Sequence, residues 1–233
     1  MQASQFVITS TDYLKSRVQA LGMEAHTLRN GYSNQMQRCA EQTVNRRSPD
    51  RVILGYASGT PTHDHDLKLI EEGLYEVLKR YPHVDLHLMG YIQTPDRLQG
   101  FGERVQRRPF VAWQQLPQRL RDIDINLAPF CTDSDFSKGK SALKYMEAAL
   151  VGIPTLASPM PAYIHAIKSG TNGIIAFNDM QWRDSLQDLI EKPELRQKLG
   201  ETAKQTVYRE DSLLHRTKTL QLILKNAGSK PER

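Results

Sequence analysis

Ser141-Ala142-Leu143-Lys144-Tyr145-Met146-Glu147-Ala148-Ala149-Leu150-Val151 is the strongest helical run of the sequence, and its flanks decide the fold. Gly152 stops it, because glycine accepts the left-handed conformation that closes a helix, and Pro154 just beyond blocks any continuation. Before it, Ile123 to Leu127 reads as a strand closed by Ala128-Pro129; after it, Pro154 to Ala157 reads as another. Strand, helix, strand is the repeating unit of a parallel sheet.

The same alternation extends in both directions. Upstream, Val52 to Ala57 is a buried strand, Asp66 to Arg80 a helix, Leu86 to Gly90 a strand and Leu116 to Arg121 a short helix. Downstream come a helix over 161–168, a strand over 173–177, helices over 181–191 and 193–208, and an amphipathic stretch over 212–225. Near the start, Phe6 to Ile8 is a strand. Thr9 to Asp12 offer capping oxygens to a helix that runs to Leu21 and stops at Gly22, and Ala25 to Leu28 is a weak strand before an Asn30-Gly31 turn. Residues 32–49 are polar with little apolar periodicity, which places a boundary there. The expectation is an α/β fold, a Rossmann-like parallel sheet flanked by helices. Its units are 1–47, 48–208 and 209–233, the last a helix and a disordered tail.

Composition sets bounds. The 233 residues are 39% hydrophobic, enough for one α/β domain and a little more. No apolar run approaches the ~20 residues that cross a bilayer, and Met1 to Gln5 opens no signal peptide, so a cytoplasmic protein is expected. Cys39 and Cys131 match no metal or redox spacing. The net charge of +5 is dispersed along helices where Lys and Arg alternate with Asp and Glu. No basic run is interleaved with aromatics, which argues against nucleic acid and leaves an anionic ligand or peripheral contact with a membrane surface.

Ligands of an open parallel sheet bind beyond the carboxyl ends of its strands. The loop from Gly55 to Asp66 lies there, with Ser58, Gly59 and Thr60 letting backbone approach a phosphate. It is neither a Walker loop nor Gly-x-Gly-x-x-Gly, and a loop of this composition is equally an ordinary tight turn. His63-x-His65 with Asp64 and Asp66 lacks a third cluster to complete a metal site, so no metal is assigned. The second region is Phe136 to Ala149. Lys140, Lys144 and Glu147 are spaced i, i+4 and i+7 on one helical face. Two lysines at a helix start oppose its dipole unless an anion offsets both, which points to a diphosphate; Glu147 can then accept from ribose hydroxyls. A solvated face with a Lys144–Glu147 ion pair fits the spacing as well.

An ordered series of segments resembles the C-terminal domain of the retaining glycosyltransferases of family four, which have the GT-B fold. It runs Ser58-Gly59-Thr60 with Thr62-His63, then Tyr81 to Gly90, Asp122 to Pro129, Lys140 to Ala148, Gly152 to Ser158 and Ser169 to Gly173. The match covers about 51–207, and 6–32 is similar to the last strand, helix and Asn-Gly turn of the family's N-terminal domain. The resemblance implies one half of a GT-B fold that binds a nucleoside diphosphate sugar, and an N-terminal acceptor domain of which most is missing here. It implies transfer of the sugar with retention to a glycan, lipid or protein acceptor, with no cofactor.

Carried over residue by residue, the resemblance puts the donor diphosphate on Ser58, Gly59, His63, Lys140, Ser141 and Lys144. The ribose falls on Glu147 and the base on Val111 and Trp113, although a buried structural tryptophan is the commoner case. The family has a second glutamate, on the sugar, eight residues before the ribose one. That position is Gly139 here, and the phosphate-binding Arg and Lys of the first loop fall at Tyr56 and His63. These departures keep open a non-catalytic module of the same fold, beside an unrelated Rossmann-like nucleotide binder.

Overall fold

The structure is a computed structural model that describes residues 5–60, 64–131 and 135–228. Its centre is a six-stranded, all-parallel sheet. The strands are β3 (Val52–Ser58), β4 (Val84–Gly90), β5 (Val105–Arg108), β6 (Ile125–Ala128), β7 (Thr155–Ala157) and β8 (Ile174–Ile175), in the spatial order β5-β4-β3-β6-β7-β8. A separate parallel pair joins β1 (Val7–Thr9) to β2 (Ala25–Thr27). The large sheet grows one way from β3 through β4 to β5, then returns to the other side of β3 with β6. The loops diverge at that reversal, which opens a crevice beyond the carboxyl ends of β3 and β6.

Both faces of the sheet are covered. Leu54, Leu86, Leu88, Leu127 and Leu156 pack with Leu74 and Leu78 of α4 (Glu71–Arg80) and Trp182, Leu186 and Leu189 of α9 (Asp179–Glu191). On the other face Met146, Ala149 and Leu150 of α7 (Leu143–Leu150) meet Leu120 of α5 (Leu116–Arg121) and Ala203 and Val207 of α10 (Pro193–Glu210). Burial on both sides explains why these strands read as continuous apolar runs rather than alternating ones. Among the described residues no helix is long and apolar enough to cross a membrane. The expected tail beyond Gly228 lies outside the described residues.

The structure corrects several sequence expectations. Residues 32–49 hold a helix, α2 (Asn34–Glu41), capped by the Ser33 side chain on the Met36 N–H. Its apolar stripe is only Tyr32, Met36 and Ala40, too thin to register as periodicity. The helix expected over 66–80 is two, α3 (Asp64–Lys68) and α4, separated at Ile70. Glu71 and Glu72 suit the positive end of the new helix. β5 was not expected at all: Val105-Gln106-Arg107-Arg108 is an edge strand whose arginines keep the edge polar.

The helix expected from Ser141 begins at Leu143 instead. The Ser141 hydroxyl accepts from Asn30 Nδ2 at 2.8 Å and does not cap the helix. Lys140 therefore stands outside α7 and does not share a helical face with Lys144 and Glu147.

Candidate functional site

At the crevice, the ends of β3 and β4 are held unusually close. A Cβ on Gly90 would lie 2.1 Å from the Ser58 carbonyl oxygen, and Gly90 has φ +94°. Ser58 is buried and turns its hydroxyl back to the Thr60 carbonyl at 2.7 Å. Among the described residues a Cβ on Gly59 would meet nothing within 4 Å, which leaves room for a ligand on that side of the loop. Ser58, Gly59, Gly90, Asn126, Lys144 and Glu147 line one side of a cavity of about 220 Å³. Phe110, Val111 and Trp113, from the segment after β5, line the other.

Lys144 dominates the electrostatics. Its stem is partly exposed, but the Nζ is shut off from solvent and has no hydrogen-bond partner. It rests 4.0 Å from the centroid of the fully buried Tyr56 ring, whose negative face offsets part of the charge. Burial pulls the ammonium down to about 7; Asp66 and Glu147 oppose the drop, while Lys140 adds to it. Burial pushes the Glu147 carboxyl up to about 7 against the pull of Lys144. No salt bridge joins Lys144 to Glu147, so the ion pair expected from their i, i+3 spacing is not formed. A buried cation without a hydrogen bond is costly, and an anion in the cavity removes that cost.

The remaining expected site residues separate. Lys140 Nζ sits 4.8 Å from the Phe130 ring and 5.1 Å from the Phe136 ring. Ser141 faces a second cavity of about 450 Å³ on the other side of the α7 start, walled by Ser10, Thr11 and the first residues of α1 (Asp12–Ala20), by α8 (Pro161–Ala166) and by α11 (Leu213–Gly228). His63 lies outside the described residues. Trp113 is not buried: at 43% exposure it stands on the cavity lip, near Phe110 at 53%. Tyr91 stacks on Phe110 with centroids 5.2 Å apart.

Two contributors escaped sequence reasoning. Asn126 donates from Nδ2 to the Thr155 hydroxyl at 3.0 Å and to the Lys144 carbonyl at 3.2 Å. A lone amide inside the apolar run Ile125 to Ala128 was the available signal. Asp66 accepts from the Cys131 N–H at 2.9 Å, tying the first loop to the segment after β6. Among the described residues no three His, Cys, Asp or Glu gather as for a metal, and Cys39 and Cys131 form no disulfide there.

The sequence pattern of a family described as glycosyl transferase-like matches residues 70–221, more than half of the chain. No curated protein sequence matches. Among solved structures the chain is similar to Anabaena HepE in complex with UDP and glucose, with TM-score 0.73 and 14% identity over 95% of this chain and 63% of that one. It is similar to sucrose-phosphate synthase from Thermosynechococcus elongatus, with TM-score 0.69 and 14% identity over 98% of this chain and 60% of that one. It is also similar to S. aureus TarM in a complex that includes UDP, with TM-score 0.71 and 16% identity over 97% of this chain and 44% of that one. The chain thus spans less than two thirds of the length of each.

Proposed function

Because this chain belongs to the glycosyl transferase-like family and has the Rossmann-like half of a GT-B fold, we propose that its crevice holds the nucleoside diphosphate sugar of a sugar transfer. Residues 48–208 form the donor-binding unit in this reading. The carrying observation is the buried, unpartnered Lys144 ammonium on the floor of a cavity with an aromatic lip. The diphosphate meets Lys144 and the Ser58–Gly59 backbone, Glu147 accepts from the ribose hydroxyls, and the base lies against Val111 and Trp113. UDP-glucose in HepE, a structure of like fold, supports the assignment of ligand class.

Transfer breaks the bond from the anomeric carbon to the diphosphate oxygen and makes one, on the same face, to the oxygen of an acceptor hydroxyl, whose proton passes to the leaving diphosphate. Negative charge grows on the leaving diphosphate, where the Lys144 ammonium already stands, so no reorganisation is needed to stabilise it. The 450 Å³ cavity lies across the start of α7, at Ser141 to Leu143, and offers the acceptor side.

One observation favours a second reading, a binding module without transfer. Gly139, at the place of the family's sugar-binding glutamate, is turned toward α1 (Asp12–Ala20). Its carbonyl accepts from Thr11 Oγ1 at 3.3 Å, and a Cβ there would lie 3.1 Å from Leu14 Cδ2. Calorimetric titration of UDP, GDP and their sugars tests the donor assignment, with Lys144→Ala as control. One nucleotide is expected to bind and the variant to lose most of the affinity. Silence with every ligand at millimolar concentration sinks the proposal; affinity unchanged in the variant moves the case to the second reading.

A further inference from the structure

The opposite end of the sheet carries a second concentration of positive charge. A cavity of about 540 Å³ opens beside the amino ends of β3 and β6, between the segment after α2, the ends of α5 and α7, and α10. Five cationic side chains and three carboxylates line it. Its central carboxylate, Asp124, is fully used: Oδ1 accepts from Arg47 Nη1 at 2.9 Å and Oδ2 from the Ile53 N–H at 2.8 Å.

Among the described residues Arg121 and Arg196 have no carboxylate partner. Arg121 Nη1 donates to the Val151 carbonyl at 2.9 Å, and Arg196 Nη1 donates to the Leu189 and Ile190 carbonyls at 2.6 and 3.0 Å. Each thereby caps a helix end, which accounts for one edge of each guanidinium. The Nε and Nη2 groups of both make no hydrogen bond among the described residues. Lys204 joins them: a Cβ on Gly152 would lie 3.9 Å from its Cδ and 4.0 Å from Arg121 Nη1, so both flank one bare glycine. Burial weighs against the charge of Arg121, with Arg47 adding to it, and burial weighs against that of Arg196, with Asp124 partly offsetting. Helix capping alone needs no such crowding of guanidiniums around one spent carboxylate, and an open cavity in front of them calls for an oxyanion.

We propose that this cavity binds a phosphate group, gripped by the free edges of Arg121 and Arg196 with Lys204 beside them, independently of the donor crevice. A guanidinium fork takes two oxygens of an oxyanion at once, and two forks with an ammonium beside them suit a group that, like phosphate, presents three or more oxygens. The group belongs either to a small phosphorylated compound or to the headgroup of an anionic lipid.

The full chain is titrated calorimetrically with inorganic phosphate and pyrophosphate, as wild type, as Lys144→Met, and as Arg121→Gln/Arg196→Gln. Binding is expected to persist in Lys144→Met, which removes the donor-site cation, and to weaken about tenfold or more in the double variant. Because the two arginines also cap helices, Lys204→Glu is measured beside them; the Lys204 ammonium lies over the Tyr208 ring at 5.7 Å and caps no helix among the described residues. It is expected to weaken phosphate while leaving the melting temperature close to wild type. Co-sedimentation with phosphatidic acid vesicles, against phosphatidylcholine, tells the two sources apart. Affinity for neither free phosphate nor anionic vesicles overturns the proposal, as does affinity that survives Lys204→Glu and the double variant when each is combined with Lys144→Met, which silences the donor crevice. Loss in Lys144→Met alone assigns the anion to the donor crevice and also overturns it.

Discussion

The side-chain amide of Asn126 donates to the Lys144 main-chain carbonyl at 3.2 Å, so the central strand β6 fixes the first turn of α7 directly. The same amide reaches the Thr155 hydroxyl at 3.0 Å, and all of it is buried. Asn126→Leu would take the amide donor from the buried Thr155 hydroxyl and the second donor from the Lys144 carbonyl. The expected loss of stability is about 1 to 3 kcal/mol, read by urea denaturation. Nucleotide affinity should fall with it, because the position of the Lys144 ammonium depends on that turn. Unaltered affinity would separate the amide from the site.

Lys144→Met should act on stability and binding in opposite directions. In the unliganded chain the ammonium is buried on Tyr56 without a hydrogen bond, so methionine of similar length is expected to stabilise by about 1 to 3 kcal/mol. The same change removes the cation proposed for the diphosphate, and UDP or GDP affinity should drop at least about tenfold. A variant that is both less stable and undiminished in binding contradicts the assignment of Lys144.

The Lys144–Glu147 neighbourhood also sets a pH dependence whose sign follows from the two shifts. Glu147 keeps its proton up to about 7 in the folded chain against an ordinary 4.5, so its contribution to stability is lost as pH rises through that interval. Lys144 gives up its proton at about 7 against an ordinary 10.5, so stability returns as pH rises from there. The contribution of this pair to the unliganded chain is therefore smallest near neutral pH. A bound diphosphate favours the charged lysine, so binding takes up a proton and affinity should decline as pH climbs above about 7. Calorimetry in buffers of different ionisation heat measures that uptake; proton release on binding would exclude the charged-lysine contact.

Much of this was legible in the sequence, and what was not has local causes. The strands β3, β4, β6 and β7 announce themselves because both faces of the parallel sheet are buried. β5 does not, because an edge strand holding Arg107 and Arg108 has little apolar material to show. The spacing of Lys144 and Glu147 placed both on the crevice side of α7. Lys140 broke from that pattern for a tertiary reason: Ser141 is engaged by Asn30 and Phe130 and Phe136 flank the lysine, none of which spacing encodes. The exposure of Trp113 was likewise invisible, since it follows from the crevice at the sheet reversal rather than from its neighbours in the chain.

Gly90→Ala should damage the crevice from the strand side. The residue combines φ +94° with an approach that would put a Cβ 2.1 Å from the Ser58 carbonyl oxygen. Alanine must both enter the left-handed region and push β3 from β4 at the point where their ends align, Ser58 opposite Gly90. Left-handed strain alone costs about 1 to 2 kcal/mol, and the backbone clash adds to it, so a drop in melting temperature is expected. Ser58 lines the crevice, so nucleotide affinity should also fall even at temperatures where the variant is fully folded. Gly59→Ala is the matched control. A Cβ there meets no atom of the described residues within 4 Å, so it should leave stability near wild type and weaken only the ligand. If Gly59→Ala also leaves nucleotide affinity unchanged, the open space beside residue 59 is not where the diphosphate lies.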